Sequence, residues 1–161
     1  MADQKLLLFR ARFFAYLPTD PDTAWEHLQT SALLHHIANP LVKFVPRGDG
    51  FPKRWTDGEH RAWMFLFGLI PLLWQAIVIS RPEGPEGVRV LRDNGYSPVI
   101  RRWDHWIEIA PEDGGTRYTD RVHIDAGLLT LPVTLFAKAF YAHRQERWRV
   151  LAETGFRALD S

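Results

Sequence analysis

From Leu7 to Leu17 the chain alternates without a break. Leu7, Phe9, Ala11, Phe13, Ala15 and Leu17 fall on one side, and Leu8, Arg10, Arg12, Phe14 and Tyr16 on the other. A period of two predicts a long first strand. Asp20-Pro21 then reads as a helix N-cap followed by the first helical residue, opening a short helix with Ala24, Trp25 and Leu28. Ser31 is placed to cap a second short helix carrying Leu33, Leu34 and Ile37, which Asn39-Pro40 stops. Six strand signals follow, over Leu41 to Val45, Glu59 to Phe67, Leu73 to Arg81, Val88 to Asp93, Val99 to Ala110 and Thr116 to Ala126. Between them lie turn-forming stretches such as Arg47-Gly48-Asp49-Gly50, Asp93-Asn94-Gly95 and Pro111 to Gly115, short enough to imply an antiparallel meander. From Thr130 the period becomes helical, with Pro132 in the first turn. Val133, Phe136, Ala137, Phe140, Trp148 and Leu151 fall on one stripe, with Lys138, Ala142, Gln145, Glu146, Arg149 and Glu153 opposite.

Composition narrows the classes open to such a chain. At 161 residues with no break in character it is expected to form one domain, 1–161, large enough to bury a core without a metal or disulfide. It contains no cysteine, which excludes disulfides and thiolate chemistry and fits a cytoplasmic location. Twenty basic and nineteen acidic residues show no basic block, so no nucleic-acid partner is expected. The apolar run Leu6 to Phe9 is too short for a signal-peptide core before Arg10 interrupts it. Ala62 to Ile79 reaches the length of a membrane span, yet Gly68 and Pro71 sit mid-run and a β-branched segment follows Gln75. Two apolar strands joined at Gly68 to Pro71 are expected there, and no stable membrane insertion.

The order of one strand, two short helices, six strands and one long helix resembles the START/Bet v 1-like superfamily, which includes polyketide cyclase and lipid-transport (SRPBCC) proteins. The residues carrying the resemblance are Asp20-Pro21-Asp22-Thr23-Ala24-Trp25 after the opening strand, the Trp55-x-x-Gly58 turn, Phe67-Gly68-x-x-Pro71, Trp103-x-His105, Thr119-Asp120-x-Val122 and His143-Arg144-Gln145-x-Arg147-Trp148. The resemblance spans the whole chain. It implies an α+β helix-grip fold, with a curved antiparallel sheet of about seven strands around the long C-terminal helix and a cavity for a lipid-like, aromatic or polyketide-like molecule. It implies neither a universal catalytic residue nor a cofactor, since relatives range from carriers to aromatase/cyclases.

Within that frame, Trp103, His105, Ile107 and Ile109 form the inward set of one strand, and Tyr118, Asp120, Val122, Ile124 and Ala126 that of the next. An imidazole and a carboxylate thus stand in apolar rows, and pairing through the Pro111 to Gly115 loop puts His105 opposite Asp120 or one diagonal step away. Arg144 lies near the centre of the helix stripe, and Arg147 toward its edge. In the structural reading Asp120 and His105 neutralise an inward arginine and pin helix to sheet. The binding reading has the trio orient a ligand, with Trp63, Phe65, Phe67, Trp103, Ile107, Tyr118, Val122, Phe136, Phe140 and Trp148 lining its cavity. In the catalytic reading His105 is a general base oriented by Asp120, and Arg144 stabilises an enolate, as an aromatase/cyclase or dehydratase requires.

The remaining polar candidates point to ordinary roles. His35 and His36 diverge around their helix, His123 falls on an outer face with Arg121 and Asp125, and no metal site is expected. Gly48-Asp49-Gly50 lacks a phosphate-loop lysine and reads as a turn. Seven tryptophans and ten phenylalanines suit either a pocket or a filled core. The expected function is therefore a monomeric or homodimeric carrier or sensor of a small hydrophobic molecule. An enzyme using His105, and a membrane-peripheral protein with an exposed patch over Phe65 to Leu73, are the alternatives.

Overall fold

In a computed structural model residues 8–160 are described; Leu6 and Leu7, where the apolar run and the first strand were expected to begin, lie outside them. The alternating segment forms strand β1, Leu8–Leu17. Helix α1, Pro21–Leu28, starts where Asp20 accepts the backbone N–H of Thr23 at 2.9 Å, and Ala24 and Leu28 are its buried residues. Helix α2, Ser31–Ala38, is capped one residue earlier than expected. Thr30, not Ser31, accepts the Leu33 N–H, while the Ser31 hydroxyl donates to the carbonyl of Pro52 at 2.8 Å.

The strands β2 (Val42–Pro46), β3 (Gly58–Leu66), β4 (Ile70–Ser80), β5 (Arg89–Gly95), β6 (Arg102–Glu112) and β7 (Gly115–Asp125) complete one antiparallel sheet. Its order is β1-β7-β6-β5-β4-β3-β2, so α1 and α2 carry the chain from one sheet edge to the other. A single 3₁₀ turn, Gly127–Leu129, leads into α3, Thr130–Glu153, which packs against β1 and α2. This is a helix-grip arrangement, a curved sheet closed around a long C-terminal helix.

The apolar run Ala62 to Ile79 is the β3–β4 hairpin, turned at Phe67 and Gly68, both at positive φ. No described helix is long and apolar enough to cross a membrane. Trp63, Phe65 and Phe67 do not face the interior as expected. Trp63 and Phe67 are exposed, Phe65 is half-buried, and the inward set is Ala62, Met64 and Leu66. Both alternating sets of this strand are apolar, so periodicity could not choose between them. The guanidinium of Arg47 covers the outward Trp63 ring at 5.2 Å. A bulge follows on β4, where Trp63 faces Trp74 but Phe65 faces Pro71, with Leu73 at φ 74°. The extra residue shifts the alternation, bringing Leu72 inward ahead of Gln75, Ile77 and Ile79.

Two buried clusters form the core. One gathers Leu17, Leu28, Leu33, Ile37, Trp148 and Leu151; the other gathers Trp103, Val122, Ile124, Ala137 and Tyr141.

Candidate functional site

Between these clusters lies a cavity of about 420 Å³, within the range of small-molecule pockets. Its walls are mainly aliphatic and aromatic, with Leu33, Ile37, Trp55, Ile77, Leu91, Ile107 and Phe140 among them. The exposed members of the lining are Val99, Leu129 and Pro132, which places the mouth between the β5–β6 connection and the start of α3. Polar groups reach the wall at few points: Thr30, Gln75, Asp93, His105, Tyr141 and Arg144.

The β6–β7 register sets His105 opposite Val122 and Ile107 opposite Asp120, so His105 and Asp120 are diagonal neighbours. His105 Nε2 lies 2.6 Å from Asp120 Oδ1. The same oxygen accepts the Tyr118 hydroxyl at 2.7 Å, and Asp120 Oδ2 accepts the Gln145 amide at 3.0 Å. Burial alone would raise the Asp120 pKa, but His105, the Arg144 charge and the Tyr118 hydrogen bond overcome it and hold the carboxyl below its ordinary range. Burial pushes the His105 pKa down further than Asp120 raises it, so the imidazole is neutral. A carboxylate only accepts, so the proton of that neutral ring sits on Nε2 and the lone pair on Nδ1.

Arg144 is buried on α3 and lines the cavity, yet it is not the residue that ties the helix to Asp120. Gln145, expected on the opposite face, makes that bond. The Arg144 guanidinium forms no ion pair within 4.0 Å with a described carboxylate, and its Nε has no hydrogen-bond partner. It lies 5.6 Å from the Phe140 ring and 5.5 Å from the Tyr141 ring, where cation–π attraction favours it. Burial opposes its charge, but the Tyr118, Asp120 and Tyr141 oxygens more than offset this and raise its pKa. Arg147, toward the edge of the stripe, donates instead to the carbonyl of His36 at 2.8 Å.

Of the other expected lining residues, Trp103, Ile107, Phe136 and Phe140 line the cavity. Tyr118, Asp120, Val122 and Trp148 are fully buried behind it. Outside the site, the His35 ring lies tilted against Phe51, and Asp125, expected on the outer face, is buried and accepts the Gly127 N–H. Among the described residues no three His, Cys, Asp or Glu side chains converge as a metal site would require.

Residues 15–152 match the family described as a domain of unknown function, DUF8410. The chain belongs to that family. No curated protein matches the sequence of this DUF8410 member. Among solved structures it is similar to the Zhui aromatase/cyclase from Streptomyces sp. R1128, at 13% identity and a TM-score of 0.61 over 94% of this chain and 97% of that one. It is also similar to a START superfamily protein from Mycobacterium smegmatis, at 12% identity and a TM-score of 0.59 over 90% and 97% of the two chains. A third likeness is to Ara h 8.0201, at 11% identity and a TM-score of 0.57 over 91% and 99%. These likenesses establish a START/Bet v 1-like fold for the DUF8410 chain.

Three site residues of this DUF8410 domain escaped the sequence reading. The sequence sets Asp93 at the boundary between a strand and an Asp93-Asn94-Gly95 turn, but β5 runs on to Gly95, so Asp93 pairs with His105 and reaches the cavity wall. Its Oδ1 accepts the Val78 N–H at 2.8 Å, and burial, opposed by that bond and by Arg144, pushes its pKa up to about 7. The period-two series Leu91, Asp93, Gly95 was the available signal. Tyr141, whose hydroxyl accepts Trp103 Nε1–H at 2.9 Å, follows Phe140 on α3, whose buried face is wider than the apolar stripe of its sequence. Gln75 is the lone polar residue of an apolar run, and it is buried at the cavity wall.

Proposed function

We propose that residues 1–161 act as one domain that encloses a small, mostly apolar molecule bearing a single anionic or hydrogen-bond-accepting head, with the head against Arg144. The observation that carries this reading is the buried Arg144 guanidinium, which lines an apolar cavity with its Nε unpartnered and no ion pair to a described carboxylate. A desolvated cation so placed is compensated by a ligand's carboxylate, phenolate or carbonyl. His105 and Gln75 offer further polar contacts, while Asp120 serves from behind by fixing the His105 tautomer. The START/Bet v 1-like fold, shared with a polyketide aromatase/cyclase, supports the same reading.

Native mass spectrometry of the protein purified from its own host, followed by extraction, tests it. A stoichiometric apolar acid or phenol is the expected companion. Arg144→Met should then weaken binding of a carboxylic-acid probe by about tenfold or more, yet leave that of its methyl ester much less changed. A protein that arrives empty, and whose Tm no acid or ester raises, would overturn the proposal.

A second reading, an enzyme of the aromatase/cyclase or dehydratase type, is favoured by one arrangement. Asp93, poised near neutrality, faces His105 across paired strands at the cavity wall. His105→Gln should then lower kcat far more than it raises KM, and equal losses in both would sink the idea.

A further inference from the structure

The mouth of the cavity is edged by apolar side chains that face solvent. On the β3–β4 turn, Phe67, Leu69 and Ile70 are 56%, 82% and 55% exposed. At the start of α3, beside the mouth, Leu128 and Leu131 are 95% and 68% exposed and continue to Leu135 along one outward stripe. Both groups adjoin the cavity, since half-buried Leu66 and Leu72 of the hairpin line its wall, and Leu129 and Pro132 of the helix start are exposed at its mouth. Leucines exposed to this degree on two separate elements at one rim form a patch, unlike the single apolar residues scattered over any surface.

Acidic side chains are scarce in the segments that form this rim, and Asp125, which borders it, is buried against the Gly127 N–H. No acidic residue occurs between Ala62 and Ser80, between Tyr96 and Trp103, or between Ala126 and Gln145. The cations stand just behind the apolar tips: Lys43 flanks Gly68, Arg101 flanks Gly127, and Lys138 lies over the Phe9 ring at 5.8 Å. None of the three forms an ion pair with a described carboxylate. Leucine and phenylalanine tips backed by unpaired lysine and arginine are the composition that suits an anionic lipid interface, where the tips enter the acyl boundary and the cations meet headgroups.

We propose that the cavity mouth docks on anionic membrane surfaces through Phe67, Leu69 and Ile70 on one side and Leu128 and Leu131 on the other, with Lys43 and Arg101 against the headgroups. The opening is then apposed to the bilayer, so an apolar molecule passes between membrane and cavity without crossing water. The proposal does not depend on which molecule the cavity takes.

Co-sedimentation of the full chain with vesicles of phosphatidylcholine alone, and of phosphatidylcholine with phosphatidylglycerol, tests it. The chain should pellet with the mixed vesicles, and added salt should release it. Leu128→Asp combined with Leu131→Asp should weaken that binding about tenfold, and Lys43→Glu with Arg101→Glu roughly as much. Phe14→Asp, at an exposed position on β1 away from the mouth, should change nothing. All replaced side chains are exposed, so an unchanged Tm verifies the fold of each variant. A protein that stays in the supernatant with both compositions overturns the proposal, as does a leucine double variant that pellets like the wild type. A wild-type dimer that this double variant dissociates, with no pelleting, would instead make a second copy the occupant of the rim.

Discussion

A single carboxylate organises the buried polar residues. Asp120 takes hydrogen bonds from His105, Tyr118 and Gln145, which come from two strands and the long helix. Asp120→Ala strands those donors in a dry interior and removes the charge facing Arg144, so a loss of about 3–5 kcal/mol is expected in urea denaturation. Gln145→Ala removes one donor only and should cost about 1 kcal/mol. Asp93 makes a different prediction. Its folded pKa of about 7 lies above its unfolded value near 3.8, so the folded state holds the extra proton between those limits. Its contribution is complete below pH 3.8 and is lost as pH rises through 7. His105 is depressed and acts in the opposite sense, but it is common to wild type and Asp93→Asn. Their stability difference, followed by denaturation from pH 4 to 8, should therefore move in favour of the variant as pH rises; a flat difference would refute the placement of Asp93. The His105–Asp120 contact was legible because both stand in apolar rows of paired strands. The Gln145 contact was not, because a helical wheel separates Gln145 from the stripe by about 100° while its long side chain reaches back over that angle.

At the scale of elements, β4 and β5 pair directly at only two positions, Ile79 with Asp93 and Ser80 with Arg92, before an isolated bridge from Ala76 to Tyr96. Gly95 stands against the β4 backbone, and a Cβ there would lie 2.7 Å from the Ala76 carbonyl oxygen and 3.2 Å from Asp93 Oδ1. Gly95→Ala should cost about 1–3 kcal/mol in denaturant unfolding and disturb the Asp93 carboxyl as well, shifting the pH dependence just described. The existence, order and type of the elements were legible because turn chemistry and periodicity agreed along most of the chain. Errors gathered where the pattern was degenerate. A strand apolar on both faces could not declare its inward side, and a bulge at Leu73 reset the alternation without any glycine or proline at that position to mark it. The neighbouring Thr30 and Ser31 are both hydroxyl residues suited to a cap, and only the tertiary partner Pro52, which takes the Ser31 hydroxyl, leaves the cap to Thr30.

At the scale of the molecule, the fold spans the chain almost end to end. The first strand pairs with the last, Leu17 with Thr116 and Leu8 with Asp125, and the cavity is closed by a helix that follows both. Most of the sheet joins sequence neighbours and can form locally, but the β1–β7 seam and the helix docking are long-range events. During synthesis, then, β2 to β6 leave the ribosome with only α1 and α2 available to cover part of their inward rows of leucine, isoleucine and tryptophan, and the side that α3 closes stays open until that helix is made. The chamber comes into being only once α3 has been made, so the nascent chain passes through an interval in which its future binding surface is its most aggregation-prone face.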